Sequence, residues 1–423
     1  MDFIIPFVIL IITYLILIVK YLPRRSNNIG LAVFIVIVSF FHFDVPGSRL
    51  QLPLFALVLL PRIKRLPQIV PFYLYIIFLV YCAINTLFLS TSYHFGLLMI
   101  IKLFVPFMFL IYGYNVFKSG NEFYYFAKRV AAIIPFFAIV SSYPISLLRE
   151  YTSAFMKAWS AGDVEIFAVL LSIPLSLFLI ENQKKHFVTA VCCMLPPLSM
   201  IRRTVLGSQF IVATIFAMIK KGVKSIIPIG LMVAVALVAV LNIAPIRERV
   251  FGGDKGDVSG VSNKELLSST DYIGTSGRSS MWAYMTAEFY VGNEVFGCGL
   301  GTMKSYMRRA DNSGEDASFE MLHNDHLHLL IETGIVGIFL FSLFVVWLII
   351  YLISNMKRTK DKRAPRFACN FCALSSFVVI IFCMFFSNIL SQVWEIIVCF
   401  MFIGMAMKAN ELSRKTISVN RVI

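Results

Sequence analysis

Long apolar runs leave this chain one kind of fold. They lie at 3–19, 29–45, 50–61, 69–89, 94–117, 130–148, 163–181, 186–201, 203–219, 224–244, 327–354, 367–389 and 392–408. About 20 predominantly apolar residues carry a helix across a bilayer. The run at 50–61 is short enough to be re-entrant, so the reading is 12 or 13 transmembrane helices. Only 14% of the 423 residues are charged, against roughly a quarter in soluble domains. The expected fold class is an all-α polytopic membrane protein. The first run has Asp2 before it, no small-residue cleavage site after it, and the basic stop "YLPRR" beyond; it reads as a retained span and not a signal peptide.

Orientation follows from lysine and arginine. With Lys20, Arg24 and Arg25 set inside, alternation places Arg62, Lys64 and Arg65, then Lys118, Lys128 and Arg129, then Lys184 and Lys185, then Lys220, Lys221 and Lys224 inside as well. The run "MKRTKDKRAPR" at 356–366 and the tail with Arg414, Lys415 and Arg421 join them; with Lys408 these segments hold 24 of the 38 basic residues. A single alternation that collects so many cations is the positive-inside pattern. The net charge of +15 therefore belongs to topology. Nucleic-acid binding needs a contiguous basic face on a folded domain, and the expectation is no nucleic-acid partner. Membrane lipids are the expected surroundings.

Four segments follow: an N-terminal bundle of about ten spans (1–244), one large outside loop (245–326), C-terminal transmembrane helices (327–408) and a cytoplasmic tail (409–423). In a bacterium the outside loop is periplasmic. Within it "GGDKGDVSGVSNKELLSST" (252–270) reads as a mobile loop. Met281, Trp282, Met285 and Phe289 recur at helical spacing and predict an amphipathic helix on the membrane surface. Cysteines occur at 82, 192, 193, 298, 369, 372, 383 and 399. Seven sit in or beside apolar spans, where cysteine behaves as a small hydrophobe. The lone CxxC at 369–372 is too little for a metal or redox site.

Four polar features share the outside face. "SMIRRTVLG" (199–207) puts Arg202 and Arg203 at a span boundary on the side where cations are disfavoured. "TSGRSSMW" (275–282) carries Arg278, which taken alone reads as a solvated loop residue. "VFGCGLGTM" (295–303) carries Gly297, Gly299 and Gly301, which permit a tight turn or, second, a glycine-lined ligand wall. "MLHNDHLHLLIETGIVG" (321–337) holds His323, His326 and His328. His323 and His326 stand three apart and are expected to share a helical face, with His328 on a different side. A metal site needs three or four convergent ligands, and the expectation is no metal and no cofactor. Asn324 or Asp325 suits a helix cap. Glu332 lies inside the span, where a carboxylate is costly unless paired; an Arg or a His is its expected partner. Gly334 and Gly337 are expected to be a close-packing point that holds His323 in place.

In this order the motifs resemble the bacterial O-antigen ligase and polysaccharide polymerase superfamily. "HNDHLHLLIETGIVG" is the His-Asn, nine residues, Gly-x-x-Gly pattern. "SGRSSMW" and "VFGCGLG" are similar to its Gly-Arg-x-x-x-Trp and Gly-x-Gly-x-Gly features, and "RRTVLG" resembles its Ser-Arg segment with Arg202 in place of the serine. The resemblance spans about 199–345. It implies a GT-C-like helical fold and an inverting, metal-independent glycosyltransferase in the inner membrane, with its active site facing the periplasm. The donor would be a glycan on undecaprenyl diphosphate, and the acceptor a sugar hydroxyl on another glycan or on lipid A–core.

His323 is the candidate base, since a neutral imidazole is available near neutral pH. Arg203 and Arg278, with Arg202 as the alternative to Arg203, are the candidates to hold the diphosphate, because guanidinium binds phosphate bidentately and keeps its charge. Asn324 or Glu332 would orient the ring, and His326 has a supporting place. Polymerase is favoured narrowly over ligase, and a polymerase could work with a chain-length regulator. The rival of another class is a transporter or flippase for lipid-linked sugars, for which Lys102 and Glu395 are the charges within spans.

Overall fold

A computed structural model describes residues 4–21, 28–41, 51–117, 121–142, 164–199, 202–222, 224, 279–313, 322–391 and 393–419. All regular structure among them is helical. In chain order the helices are α1 (Ile4–Leu15), α2 (Asn28–Val38), α3 (Gln51–Leu59), α4 (Val70–Leu89), α5 (Tyr93–Val116), α6 (Asn121–Val140), α7 (Glu165–Leu170), α8 (Ser172–Glu181), α9 (Lys184–Ser199) and α10 (Arg203–Lys221). They continue with α11 (Ser279–Met285), α12 (Thr302–Ser313), α13 (Asp325–Arg358), α14 (Pro365–Phe386) and α15 (Val393–Val419). Seven are long and apolar enough to cross a membrane: α4, α5, α6, α10, α13, α14 and the Val393–Arg414 part of α15. This is an all-α polytopic membrane protein.

Local chemistry sets the helix ends. Pro71 and Pro365 stand in the first turns of α4 and α14, where proline gives up only an amide that would be unpaired anyway. Asn182 takes the left-handed conformation after α8, and Gly222 ends α10 at φ 78°, both usual stops. Lys220 and Lys221 sit in the last turn of α10, where cations suit the helix dipole. α6 begins at Asn121, earlier than the run at 130–148 implies, because Glu122, Lys128 and Arg129 ride on the helix itself. The span at 224–244 and the loop at 252–270 lie outside the described residues.

α15 is the central helix; its whole apolar window is buried in protein. It lies against α5 at backbone distance. A Cβ on Gly113 would collide with the Met401 backbone, and one on Gly404 with Leu110 and Tyr114. Small residues let membrane helices approach this closely. Aromatic rings fill the rest, with Phe55 on Trp394 at 5.4 Å and Tyr75 on Phe400 at 5.3 Å between centroids. Hydroxyls join α8 to α14: Ser172 Oγ lies 2.9 Å from Ser376 Oγ, and Ser176 Oγ donates to the Ala368 carbonyl at 3.1 Å. Where α13, α14 and α15 reach the far end of the bundle, Arg366 donates to Asn410, Ser413 and Asn355.

Candidate functional site

The helix carrying the clustered histidines is two helices in one. α13 breaks at Gly334, which takes φ 65°. The break frees the carbonyls of Ile331, Glu332 and Thr333 and the amides of Ile335 and Val336; the 294–301 loop answers all but the Thr333 carbonyl. The Cys298 and Gly299 amides donate to the Ile331 and Glu332 carbonyls at 3.0 Å each; the Ile335 and Val336 amides donate to the Glu294 and Val295 carbonyls at 2.8 and 3.1 Å. Tyr81 of α4 donates its hydroxyl to the Thr333 carbonyl at 2.6 Å. Asn85 clasps the loop from the other side, donating to the Phe296 carbonyl at 2.7 Å and accepting from the Leu300 amide at 3.0 Å.

The glycines make this stitching possible. Gly297, Gly299 and Gly301 have φ between 78° and 94°. A Cβ on Gly297 would strike the Glu332–Gly334 backbone, one on Gly299 the Leu89–Ser90 backbone, and one on Gly301 the Phe95–Gly96 backbone. What these glycines line is therefore protein backbone. Gly337 fits under Thr333 and the Tyr81 ring. A packing point at Gly334 and Gly337 was readable; the break itself was not.

The three histidines diverge. His323 lies before the helix, at φ 51°, and Asn324 is the cap, its Oδ1 accepting from the Leu327 amide at 3.0 Å. His323 and His326 therefore do not share a helical face, because the helix starts between them. His326 lies on Phe385 of α14, 4.0 Å between ring centroids, with Nε2 3.4 Å from the Ile381 carbonyl. His328 Nε2 stands 3.1 Å from Glu332 Oε2, at ion-pair distance without hydrogen-bond alignment. Glu332 is wholly buried, and its Oε1 accepts from the Met303 amide at 3.0 Å. His328 is thus the partner that Glu332 requires, so Glu332 is committed to a ring other than His323. Asp325, also buried, accepts from the Leu390 amide at 2.8 Å and ties α13 to the turn before α15.

Arg202 and Arg203 open α10. Arg202 is the exposed residue before the first turn and Arg203 is half-buried within it. Gly207, one turn on, meets the Phe382 ring of α14, three residues from the ring that carries His326. The last turns of α14 thus link the arginine start of α10 to the histidine start of α13. Arg278 lies outside the described residues. The α11 face expected on the membrane surface is covered by protein: Met281 and Met285 are buried with Met303, Met307, Leu322 and Ile331, and Trp282 donates to the Leu322 carbonyl at 2.7 Å. Cys298 borders this cluster, and burial, with Glu332 nearby, pushes its thiol up to about 12. Glu294 at the loop's head is exposed, and the Gly292 amide holds its carboxyl below the usual range.

Sequence reasoning did not single out Tyr81, Asn85, Asp325 as an anchor, or His328 as the partner of Glu332. Asn85 was visible as a polar interruption of an apolar run. Its partners come from a loop far away in sequence, which a hydropathy pattern does not encode.

A comparison with curated proteins gave no match. Residues 186–342 match the family model described as O-antigen ligase, a stretch that takes in α10, the glycine loop and α13 through its break. That match covers 157 of the 423 residues and supports the resemblance to the O-antigen ligase and polymerase superfamily over that stretch.

Proposed function

We propose that the protein is an inverting membrane glycosyltransferase that moves a glycan from undecaprenyl diphosphate to an acceptor sugar hydroxyl at the outer face of the inner membrane. The observation that carries this reading is one end of the bundle, where two arginines at a helix start and a His-Asn helix head flank the last turns of α14. A helix start already attracts anions, and arginines placed there strengthen the attraction. Arg203, with Arg202 and Arg278, holds the diphosphate as charge builds on it. His323 takes the acceptor O–H proton while that oxygen attacks C1 from the opposite face. The C1–O bond to phosphate breaks, and the lipid diphosphate leaves as an anion needing no proton.

Polymerase is the reading we favour, with ligase second; the family model's own description supports the ligase. Purified enzyme given only lipid-linked repeat separates them. A ladder of products is expected of a polymerase, and a reaction that waits for lipid A–core marks a ligase. Arg203→Ala is expected to lose about 100-fold in transfer and Arg203→Lys less, in line with the removal of one preorganised charge donor. Full activity in both variants would remove Arg203 from the diphosphate site.

A further inference from the structure

The turn at 293–296 shows apolar side chains to its surroundings and keeps its carbonyls to the protein. Val295 and Phe296 are 53% and 57% exposed. Yet the carbonyls of Asn293, Glu294, Val295 and Phe296 all accept from inside the chain. Asn293 accepts from the Gly297 amide at 2.7 Å, and Glu294 and Val295 accept from the Ile335 and Val336 amides of the α13 break. The Phe296 carbonyl accepts from the Asn85 side-chain amide at 2.7 Å and from the Tyr81 hydroxyl at 3.3 Å. A turn in water has no need of such closure. A turn against lipid does, because lipid offers its backbone nothing to bond. The level of the turn agrees. Tyr81 and Asn85 lie eight and four residues before Leu89, the last residue of α4, so they hold Phe296 about 6–12 Å short of that helix end at ~1.5 Å per residue. From there the chain climbs to Gly299, which packs on Leu89 and Ser90.

The two helices that hold the turn are both long and apolar enough to span, and each carries an exposed apolar stripe at helical spacing. On α4 it runs through Ile77, Ile84 and Phe88; on α13 it runs through Ile335, Phe339, Val346 and Ile350. Stripes of this kind on spanning helices face lipid. Val295 is bonded beside the first stripe residue of α13, and Phe296 beside the outer part of the α4 stripe, so the turn joins the two. An exposed apolar patch marks a partner surface, and this one is continuous with the bilayer-facing surface. We propose that the turn docks on the membrane itself. Val295 and Phe296 enter the lipid of the leaflet at this end, the outer one by the charge alternation, and Asn293 and Glu294 stay among headgroups and water. Glu294, exposed and folded back onto the Gly292 amide at 2.9 Å, keeps the insertion shallow, since a carboxylate in hydrocarbon is costly. The membrane contact that the sequence places on α11 thus falls on the turn that follows it. This inference stands without the glycosyltransferase reading.

The test uses full-length protein in vesicles of phosphatidylethanolamine and phosphatidylglycerol, with Phe296 replaced by the photoreactive benzoyl-phenylalanine. Illumination is expected to join position 296 to lipid. A crosslink to a second copy of the chain makes the patch a self-interface and overturns the proposal. Crosslinks within the chain alone, or none, overturn it equally. Phe296→Trp reads the depth separately. Over the signal of the native tryptophans, its added emission is expected to fall sharply when the acyl chains carry bromine and little with aqueous acrylamide. The opposite order puts the turn in water and overturns the proposal. Should both variants fail to fold, wild-type protein replaces them. Hydroxyl-radical labelling of Phe296 is then expected to be many-fold slower in the vesicles than in the unfolded chain, and an equal rate overturns the docking.

Discussion

His323 occupies a backbone conformation that glycine adopts freely and other residues seldom do. That allows its ring and its bend to be tested apart. His323→Gly keeps the bend and removes the imidazole, so it should unfold no sooner than wild type in a thermal melt while transfer falls about 10²–10⁴-fold, the usual range for a lost general base. A folded Gly variant with near-normal transfer would dismiss His323 as the base. Cys298 gives a pH test. Its thiol is raised to about 12 from about 8.5 in an unfolded chain. The stability linked to this shift is full below pH ~8.5 and is lost as pH rises toward the folded value. A maleimide at pH 8 should therefore leave Cys298 unmodified in the native protein and label it once the protein unfolds. At this scale the sequence was partly legible. Glu332 announced a need for a partner, since a carboxylate in an apolar run must have one, and His328 stands four residues before it on the same helical face. Which of the available cations it took was decided by Met303 and the glycine loop fixing the carboxylate's other oxygen.

The apolar run at 327–354 resumes directly after Glu332, Thr333 and Gly334, so hydropathy reads α13 as one span and does not mark its break. The signal was in the two glycine motifs taken together: Gly297, Gly299 and Gly301 on one strand of backbone and Gly334 on the other fit only if the two backbones touch. Gly297→Ala or Gly334→Ala should each destabilise the protein, by about 1–3 kcal/mol from the left-handed backbone alone and further through collision with the facing chain. Tyr81→Phe removes one hydrogen bond to the Thr333 carbonyl and should cost about 1 kcal/mol. Thermal unfolding in detergent measures all three. A melting temperature for Gly297→Ala equal to that of wild type would mean that the loop does not dock as described.

Across the whole molecule, the fold class was readable from length and hydropathy, because a bilayer accepts few architectures. The centrality of α15 was not, since a helix apolar on every side looks the same in sequence whether lipid or protein surrounds it. Orientation is the expectation still to be measured. The charge alternation puts Asn293 outside and Lys362 inside, and both are exposed. Asn293→Cys should react with an impermeant maleimide on intact spheroplasts, and Lys362→Cys only after permeabilisation. The reverse result would invert the topology and move the candidate site to the cytoplasmic side.

The stitched break in α13 also bears on how the protein is made. A helix normally enters the bilayer with its backbone already paired, but this one would carry three carbonyls and two amides at Gly334 with no partner of their own, each costing several kcal/mol in hydrocarbon. Their partners are synthesised earlier: the 294–301 loop just upstream, and Tyr81 as many as 252 residues before Thr333. The last spans thus have a template waiting for them, and α13 should leave the insertion machinery for good only once α4 and the loop are in place to receive it.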